Sequence, residues 1–354
     1  MICFTWWGLT QYAARAIEAF NKVSTESVCV VATRPSAPVQ GLEQVLSCPL
    51  MWVEEADTTI CLRLPEVPRV LFVSNWKLPA WKAMERCVRE KNGRVVAFID
   101  TDFKFSWRLI LRSIYYRLVL ARRFDAVFAV GKSGYKLARF YGVAEDRIFL
   151  GLYGADDSLF FNGVPLAERP KRIIYVGQFI SRKNVLRMCE AFKRASAHCP
   201  GWELSLYGRG PLLPQLQSLI PHPSSLITIH DFVQSDELAK LYRQSRVFIL
   251  PSLEEHWGVV VHEAALSGCY LLLSDRIGAA DDFADAENSA LFDPLSEEEM
   301  AKAMERAMSL STNQLERGQA ASLKLAKEFG PHKFIESVKS ICQCTSDLLE
   351  RDAR

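Results

Sequence analysis

An α/β fold of two parallel-sheet domains is what this sequence predicts, on three observations. The chain has 354 residues, more than one ordinary hydrophobic core accommodates. Short apolar, often β-branched runs alternate with stretches of helical period from end to end. The alternation breaks off once, between Gly154 and Lys171, where glycines, prolines and mixed charge carry no sustained period, and it restarts at Arg172.

In chain order, the strand candidates of the first half are ICFTWW, VCVVAT, RVLFVS, RVVAFI and DAVFAV. Those of the second half are RIIYVG, ELSLYG, LITIHD, RVFILP and CYLLLS, with a last signal near Ala290 to Asp293. Continuous apolar runs separated by helices read as parallel strands covered on both faces. The expected domains are residues 1–165 and 166–330, and the helical-period segment 331–354 is expected to pack back on the first. Apolar residues make up 49% of the chain and charged ones 24%, as in a globular protein, and the formal net charge of +2 gives no reason to expect nucleic acid. Ten cysteines lie scattered without a Cys-x-x-Cys pair or a histidine array, so no zinc site is expected and the thiols read as reduced and structural. No secretory leader pattern and no membrane-length apolar run is evident, which makes the cytoplasm the expected compartment.

The strongest chemical signal is PSLEEHWGVVVHEAALSG, residues 251–268, a strand-to-helix turn at the C-terminal edge of a sheet, where open α/β sheets bind ligands. Glu255 falls at the turn and Glu263 about two helical turns on, so both can serve one side. Gly258 permits close backbone approach, and the free amides of the first turn, from Val259, offer an anion site. Two carboxylates beside an anion site suit a nucleotide sugar. An acidic residue near a helix start also favours the helix dipole. Glu263, however, lies between apolar and small residues, where an idle carboxylate is costly. Upstream, Lys183 with Arg182 beside it follows the strand-ending glycine of RIIYVG and is placed to meet phosphate.

The segment resembles the Glu-x7-Glu signature of glycosyltransferase family 4, and three further elements match in order: RIIYVGQFISRKNVLRMCEAF, ELSLYGRGP, and LITIHDFVQSDELAKLYRQSRVFILPS. The likeness spans residues 172–300. It implies a GT-B enzyme, two Rossmann-like domains whose parallel sheets face an interdomain cleft. It also implies a retaining, metal-independent transfer from a nucleoside diphosphate sugar with no cofactor. By this resemblance Lys183 contacts the donor diphosphate, Glu255 the transferred sugar and Glu263 the ribose hydroxyls. Gly208 borders the nucleotide, and Phe232 and Val233 stand where the family's backbone meets the base. The family commonly has arginine after the strand glycine. Here that position is Gln178, leaving Arg182 or Arg209 to substitute.

The first half carries looser signals. Gly8, in ICFTWWGLTQYAARAIEAF, fits a loop near the reaction centre or a plain tight turn. No histidine precedes His198, although the family often places one after a strand of this half. Asp100 and Asp102 in RVVAFIDTDF offer an acid instead, with Asp100 preferred to orient the sugar or take the acceptor proton. Asp-Thr-Asp would bind a metal in the other large class of glycosyltransferases. It also suits a helix cap. Residues 103–124 hold one lysine, five arginines and no acid, with Lys104, Arg108 and Arg112 on one face. The pattern suits peripheral contact with an anionic membrane, where a lipid-linked acceptor would be met, and equally a crossover helix with a solvated basic face. Together with this basic stretch, the resemblance implies transfer to a glycan or lipid-linked acceptor in bacterial surface polysaccharide synthesis, by a cytoplasmic protein with peripheral contact at the inner face of the cytoplasmic membrane. The rival readings are a sugar-nucleotide epimerase of the same fold and a non-catalytic nucleotide-sugar-binding partner.

Overall fold

The computed structural model describes residues 1–35, 40–104, 106–220 and 226–352; Phe105 of the basic stretch and residues 353–354 of the C-terminal segment lie outside it. Two compact units divide the chain, Met1–Asp156 with Phe329–Arg354, and Asp157–Glu328.

The first unit is built on seven strands: β1 (Ile2–Trp6), β2 (Val28–Ala32), β3 (Leu50–Trp52), β4 (Val70–Val73), β5 (Arg94–Ile99), β6 (Ala126–Ala129) and β7 (Ile148–Leu150). They lie in the order β3-β2-β1-β4-β5-β6-β7, all parallel. Every residue of β1, β2 and β5 is buried, which is why these strands read as unbroken apolar runs rather than alternating ones. Alternation survives in which layer a side chain joins. Ile2, Phe4 and Trp6 enter one core with Phe334, Val338 and Ile341 of the helix Pro331–Asp352, while Cys3 enters the other with Leu71, Trp81 and Met84.

The second unit has six parallel strands: β8 (Arg172–Val176), β9 (Glu203–Tyr207), β10 (Ile227–His230), β11 (Val247–Leu250), β12 (Tyr270–Ser274) and β13 (Ser289–Phe292), ordered β10-β9-β8-β11-β12-β13. Strand order reverses between β8 and β11 here, and between β1 and β4 in the first unit.

Three details differ from the sequence reading. The edge strands β3 and β7 are three residues each, too short to register as periodic runs. The boundary falls at Asp156/Asp157 rather than 165/166, because the side chain of Arg169 anchors the preceding segment to the second unit. Its guanidinium is buried and donates to the carbonyls of Val164, Ser245 and Ser267 at 3.2, 3.0 and 2.6 Å and to Asn162 Oδ1 at 2.8 Å. Lys104 does not share the helix of Arg108 and Arg112, which begins at Trp107 behind a Ser106 cap; it pairs instead with the buried Asp102 at 2.8 Å. All ten cysteines are free thiols.

Candidate active site

The site assembles at the strand-order reversal of the second unit. Leaving β8, the chain runs against the turn after β9. Gly177 N–H donates to Tyr207 O (3.1 Å), Phe179 N–H to Arg209 O (2.8 Å), and Leu212 N–H to Phe179 O (3.0 Å). This backbone-to-backbone contact leaves no room for side chains. A Cβ on Gly208 would stand 1.9 Å from Gly177 O, and one on Gly210 2.3 Å from Phe179 O. Thus the GRGP turn fixes the exit of β8.

One 3-10 turn follows, Ser181–Lys183, closed by Asn184 in the left-handed conformation (φ 57°) with its amide donating to Pro294 O at 2.7 Å. The helix Val185–His198 then begins. This turn leaves Arg182 exposed and Lys183 buried. The exit of β11 meets it directly, since Leu253 N–H donates to Arg182 O at 2.8 Å. Glu255 is held by its backbone on both sides, N–H to Arg276 O at 3.3 Å and O from Gly278 N–H at 3.0 Å.

Lys183 Nζ and Glu255 form an ion pair, joined by Arg182, which donates to Glu254 O at 2.6 Å and lies 3.5 Å from Glu255 Oε2. Ser252 Oγ is also 3.5 Å from Oε2. The contacts made to the Glu255 carboxylate all fall on Oε2. Among the described residues Glu255 Oε1 has no hydrogen-bond partner, so one oxygen is fixed and the other open. Gly258 takes φ 94°, where a Cβ would press on Glu255 Cγ at 3.2 Å, and the helix Val259–Leu266 starts at the next residue.

Glu263, inside that helix, is partly buried and accepts from the hydroxyl of fully buried Tyr242 at 3.2 Å. Burial pushes its carboxyl up to about 7, against the opposing pull of the Tyr242 hydrogen bond. Tyr242 was missed by sequence reasoning. It sits in the helical run DELAKLYRQSR, where an aromatic reads as core, and only its hydroxyl reaches a carboxylate 21 residues away.

The remaining candidates separate. Of the two possible substitutes for the missing arginine, Arg182 joins the Lys183–Glu255 cluster. Arg209 is exposed and forks onto Asp231, with Nη2 to Oδ2 at 2.6 Å. The exposed Gln178 side chain carries no charge to the site, and the backbone carbonyl of Gln178 accepts from the Tyr175 hydroxyl at 2.9 Å. Val233 is partly buried in the loop after β10.

In the first unit Gly8 adopts φ 65°, a left-handed turn, with its N–H donating to Thr33 Oγ1 at 2.7 Å. It borders a cavity of about 740 Å³ shared with Trp7, Arg34, Trp52 and Glu55. Asp100, at the end of β5, is exposed and accepts from the Tyr153 hydroxyl at 3.2 Å. Among the described residues no group of three or more His, Cys, Asp or Glu side chains is arranged to hold a metal ion, and no helix is long and apolar enough to cross a membrane.

Residues 156–324 match the family model of glycosyl transferases group 1. An exopolysaccharide phosphotransferase of Streptomyces coelicolor is 28% identical over 159 residues, 42% of this chain and 16% of that protein. Sulfoquinovosyl transferase SQD2 of Arabidopsis thaliana is 32% identical over 120 residues, 34% of this chain and 22% of that protein. The chain thus spans less than a quarter of either relative. Among solved structures, HepE of Anabaena in complex with UDP and glucose superposes with a TM-score of 0.74 at 14% identity, covering 97% of this chain and 99% of that one. The second unit is therefore similar, over nearly its whole span, to the glycosyl transferases of group 1, and the chain carries the GT-B architecture.

Proposed function

We propose that this chain is a metal-independent, retaining glycosyltransferase of family 4 that takes a sugar from a nucleoside diphosphate donor. The observation that carries the reading is the meeting of Lys183, Arg182 and Glu255 at the strand-order reversal, with one oxygen of Glu255 fixed and the other open. In this reading Lys183 and Arg182 neutralise the diphosphate as it departs, the chief electrostatic demand of the step. The amides from Val259 onward receive its oxygens. Glu255 Oε1 takes a hydroxyl of the transferred sugar. Glu263, ionised, takes the ribose hydroxyls while Tyr242 holds its other side.

The acceptor hydroxyl attacks the anomeric carbon on the face from which the diphosphate leaves, and its proton passes to the departing phosphate oxygen. Asp100 is assigned to orient the sugar or assist that proton. The acceptor is a glycan or lipid-linked sugar of a bacterial surface polysaccharide, consistent with the exopolysaccharide relative, and the chain works at the inner face of the cytoplasmic membrane. UDP-glucose is the first donor to try, because HepE was solved with UDP and glucose.

The test is incubation with a panel of nucleoside diphosphate sugars and acceptor glycans, followed by mass spectrometry and proton NMR of the product. A product with the anomeric configuration of the donor is expected. An inverted product overturns the retaining assignment, and donor consumed without acceptor points to an epimerase.

A further inference from the structure

The helix Trp107–Tyr115 continues as a π turn over Tyr116–Leu120. Its buried positions are Leu109, Ser113, Tyr116 and Leu120, spaced as one helical stripe. The opposite face is also apolar and is bare. Trp107, Leu111, Tyr115 and Leu118 are 66%, 57%, 55% and 76% exposed, and Ile110 and Ile114 lie between them. Single exposed apolar residues are ordinary, whereas a contiguous face marks a contact surface. Arg108 and Arg112 are interleaved with this face, and no acidic residue occurs from 103 to 124. A second copy of the chain would bring two basic faces together, which like charges oppose. An anionic bilayer satisfies both the apolar face and the arginines.

Just past this element lies a cavity of about 380 Å³ lined by Lys82, Glu85, Arg86, Arg89, Arg122 and Arg123. Two of its cations are framework. Arg123 is fixed on Glu85, Nε to Oε2 at 3.0 Å, and on Trp76 O at 3.3 Å. Arg89 is fixed on Asp125 at 2.7 Å and on Arg123 O at 2.7 Å. Lys82, Arg86 and Arg122 are exposed, and among the described residues they carry no ion pair. Of the residues lining it Glu85 alone is a carboxylate; Arg123 pairs with its Oε2, while its buried Oε1 has no hydrogen-bond partner among the described residues. Guanidinium forks beside an ammonium, unpaired and converging on one cavity, are suited to phosphate oxygens.

We propose that this cavity binds the phosphate of an anionic lipid headgroup when the bare face of 107–120 lies in the bilayer surface. The inference rests on the membrane placement given above. It adds a second site, separate from the donor site, that selects phosphate over other anionic charge and fixes how the first unit sits on the lipid.

The test is co-sedimentation of the whole chain with vesicles of phosphatidylcholine alone, with added phosphatidylglycerol, or with a fatty-acid carboxylate giving equal negative charge. Binding is expected on phosphatidylglycerol vesicles, more weakly on carboxylate vesicles, and little on phosphatidylcholine. The double variant R86A/R122A should bind phosphatidylglycerol vesicles about 25-fold more weakly, about fivefold per cation removed, and lose its preference over the carboxylate vesicles. Wild-type binding by that variant, or an unchanged preference, overturns the headgroup site. So does competition by inorganic phosphate as strong as by soluble dihexanoylphosphatidylglycerol, which marks a free-phosphate site. The exposed double variant L111E/L118E should stay in the supernatant with every vesicle type yet still bind dihexanoylphosphatidylglycerol by calorimetry. Wild-type vesicle binding by L111E/L118E shows that the bare face does not make the membrane contact and overturns the proposal. A dimer in sedimentation velocity that this variant dissolves, with no lipid binding by the wild type, assigns the face to a second copy and overturns the proposal.

Discussion

The C-terminal edges of the two sheets are built alike and equipped differently. Both sheets are parallel, and both reverse their strand order at a central pair, β1/β4 in one unit and β8/β11 in the other. At the first pair the loops are tied by neutral bonds, Trp7 N–H to Ser74 Oγ at 2.8 Å and Gly8 N–H to Thr33 Oγ1 at 2.7 Å. At the second, a backbone bond from Leu253 to Arg182 is reinforced by the Lys183–Glu255 ion pair. Topology places loops at an edge; the side chains on those loops decide whether the edge can grip a diphosphate. The first edge is charged as well, with Arg63 paired to Asp57 and Glu55 accepting from Trp7 Nε1 at 2.6 Å, but those groups stand on the loop after β3, and among the described residues no ion pair joins the loops leaving β1 and β4.

If this contrast carries the chemistry, the largest effects belong to the second edge. K183A and E255Q are each expected to lower kcat by about 10² to 10³, as loss of a preorganised electrostatic group does. D100N, at the first edge, should lower it by about 10² at most. Steady-state kinetics with the active donor decide the order, and a larger loss in D100N would break the comparison.

The glycines that pack β8 against the GRGP turn come next. G208A forces a methyl to within 1.9 Å of Gly177 O, so a loss of about 2 to 3 kcal/mol in chemical denaturation is expected, together with weaker donor binding. G8A strains one left-handed residue, but its Cβ meets nothing nearer than Pro35 Cα at 3.9 Å, so a smaller loss is expected. Equal losses in the two variants would show that the second edge is no more tightly built.

A pH effect separates Glu263 from its surroundings. Its carboxyl titrates at about 7 in the folded chain against an ordinary value of 4.5, so the folded state holds more protons between those values. Stability from this group therefore falls as pH rises from about 4.5 to about 7, by an amount on the order of 3 kcal/mol, and stays low above that. E263Q should raise the melting temperature of the unliganded chain at pH 8 and flatten its dependence between pH 5 and 8. Nucleotide affinity should fall as pH drops through 7 in the wild type and be weak at every pH in E263Q. An E263Q chain less stable than wild type at pH 8 would remove the burial argument.

The smallest effect expected is that of R209A. Its exposed pair with Asp231 is worth little in water, so no resolvable change in melting temperature should follow, and turnover should fall far less than in K183A.

What was legible in the sequence follows the same contrast. Lys183 and Glu255 could be located because each stands shortly after an apolar strand, and Glu263 because it falls in the helix that follows; the roles given to all three rest on the resemblance to glycosyltransferase family 4 and not on the strand ends. Tyr242 was not, because its aromatic ring satisfies the helical period and only the folded chain shows that its hydroxyl meets Glu263. Arg169 looked like linker charge, yet it is buried among carbonyls that come together only when the second unit closes around it. The helix at 107–120 is apolar on two sides. Its period could not reveal that Leu109, Ser113, Tyr116 and Leu120 would be buried and Leu111 and Leu118 left bare, because packing against neighbouring elements makes that choice.

The measurement that tests the central claim most directly is thermal stabilisation of wild type and K183A by a series of nucleoside diphosphate sugars. At least one donor, at about 100 times its dissociation constant, should stabilise the wild type by about 2.7 kcal/mol, and at the same concentration K183A should show little of that gain. Equal stabilisation of the two proteins would contradict the account, because the diphosphate would then be held somewhere other than the Lys183–Glu255 cluster.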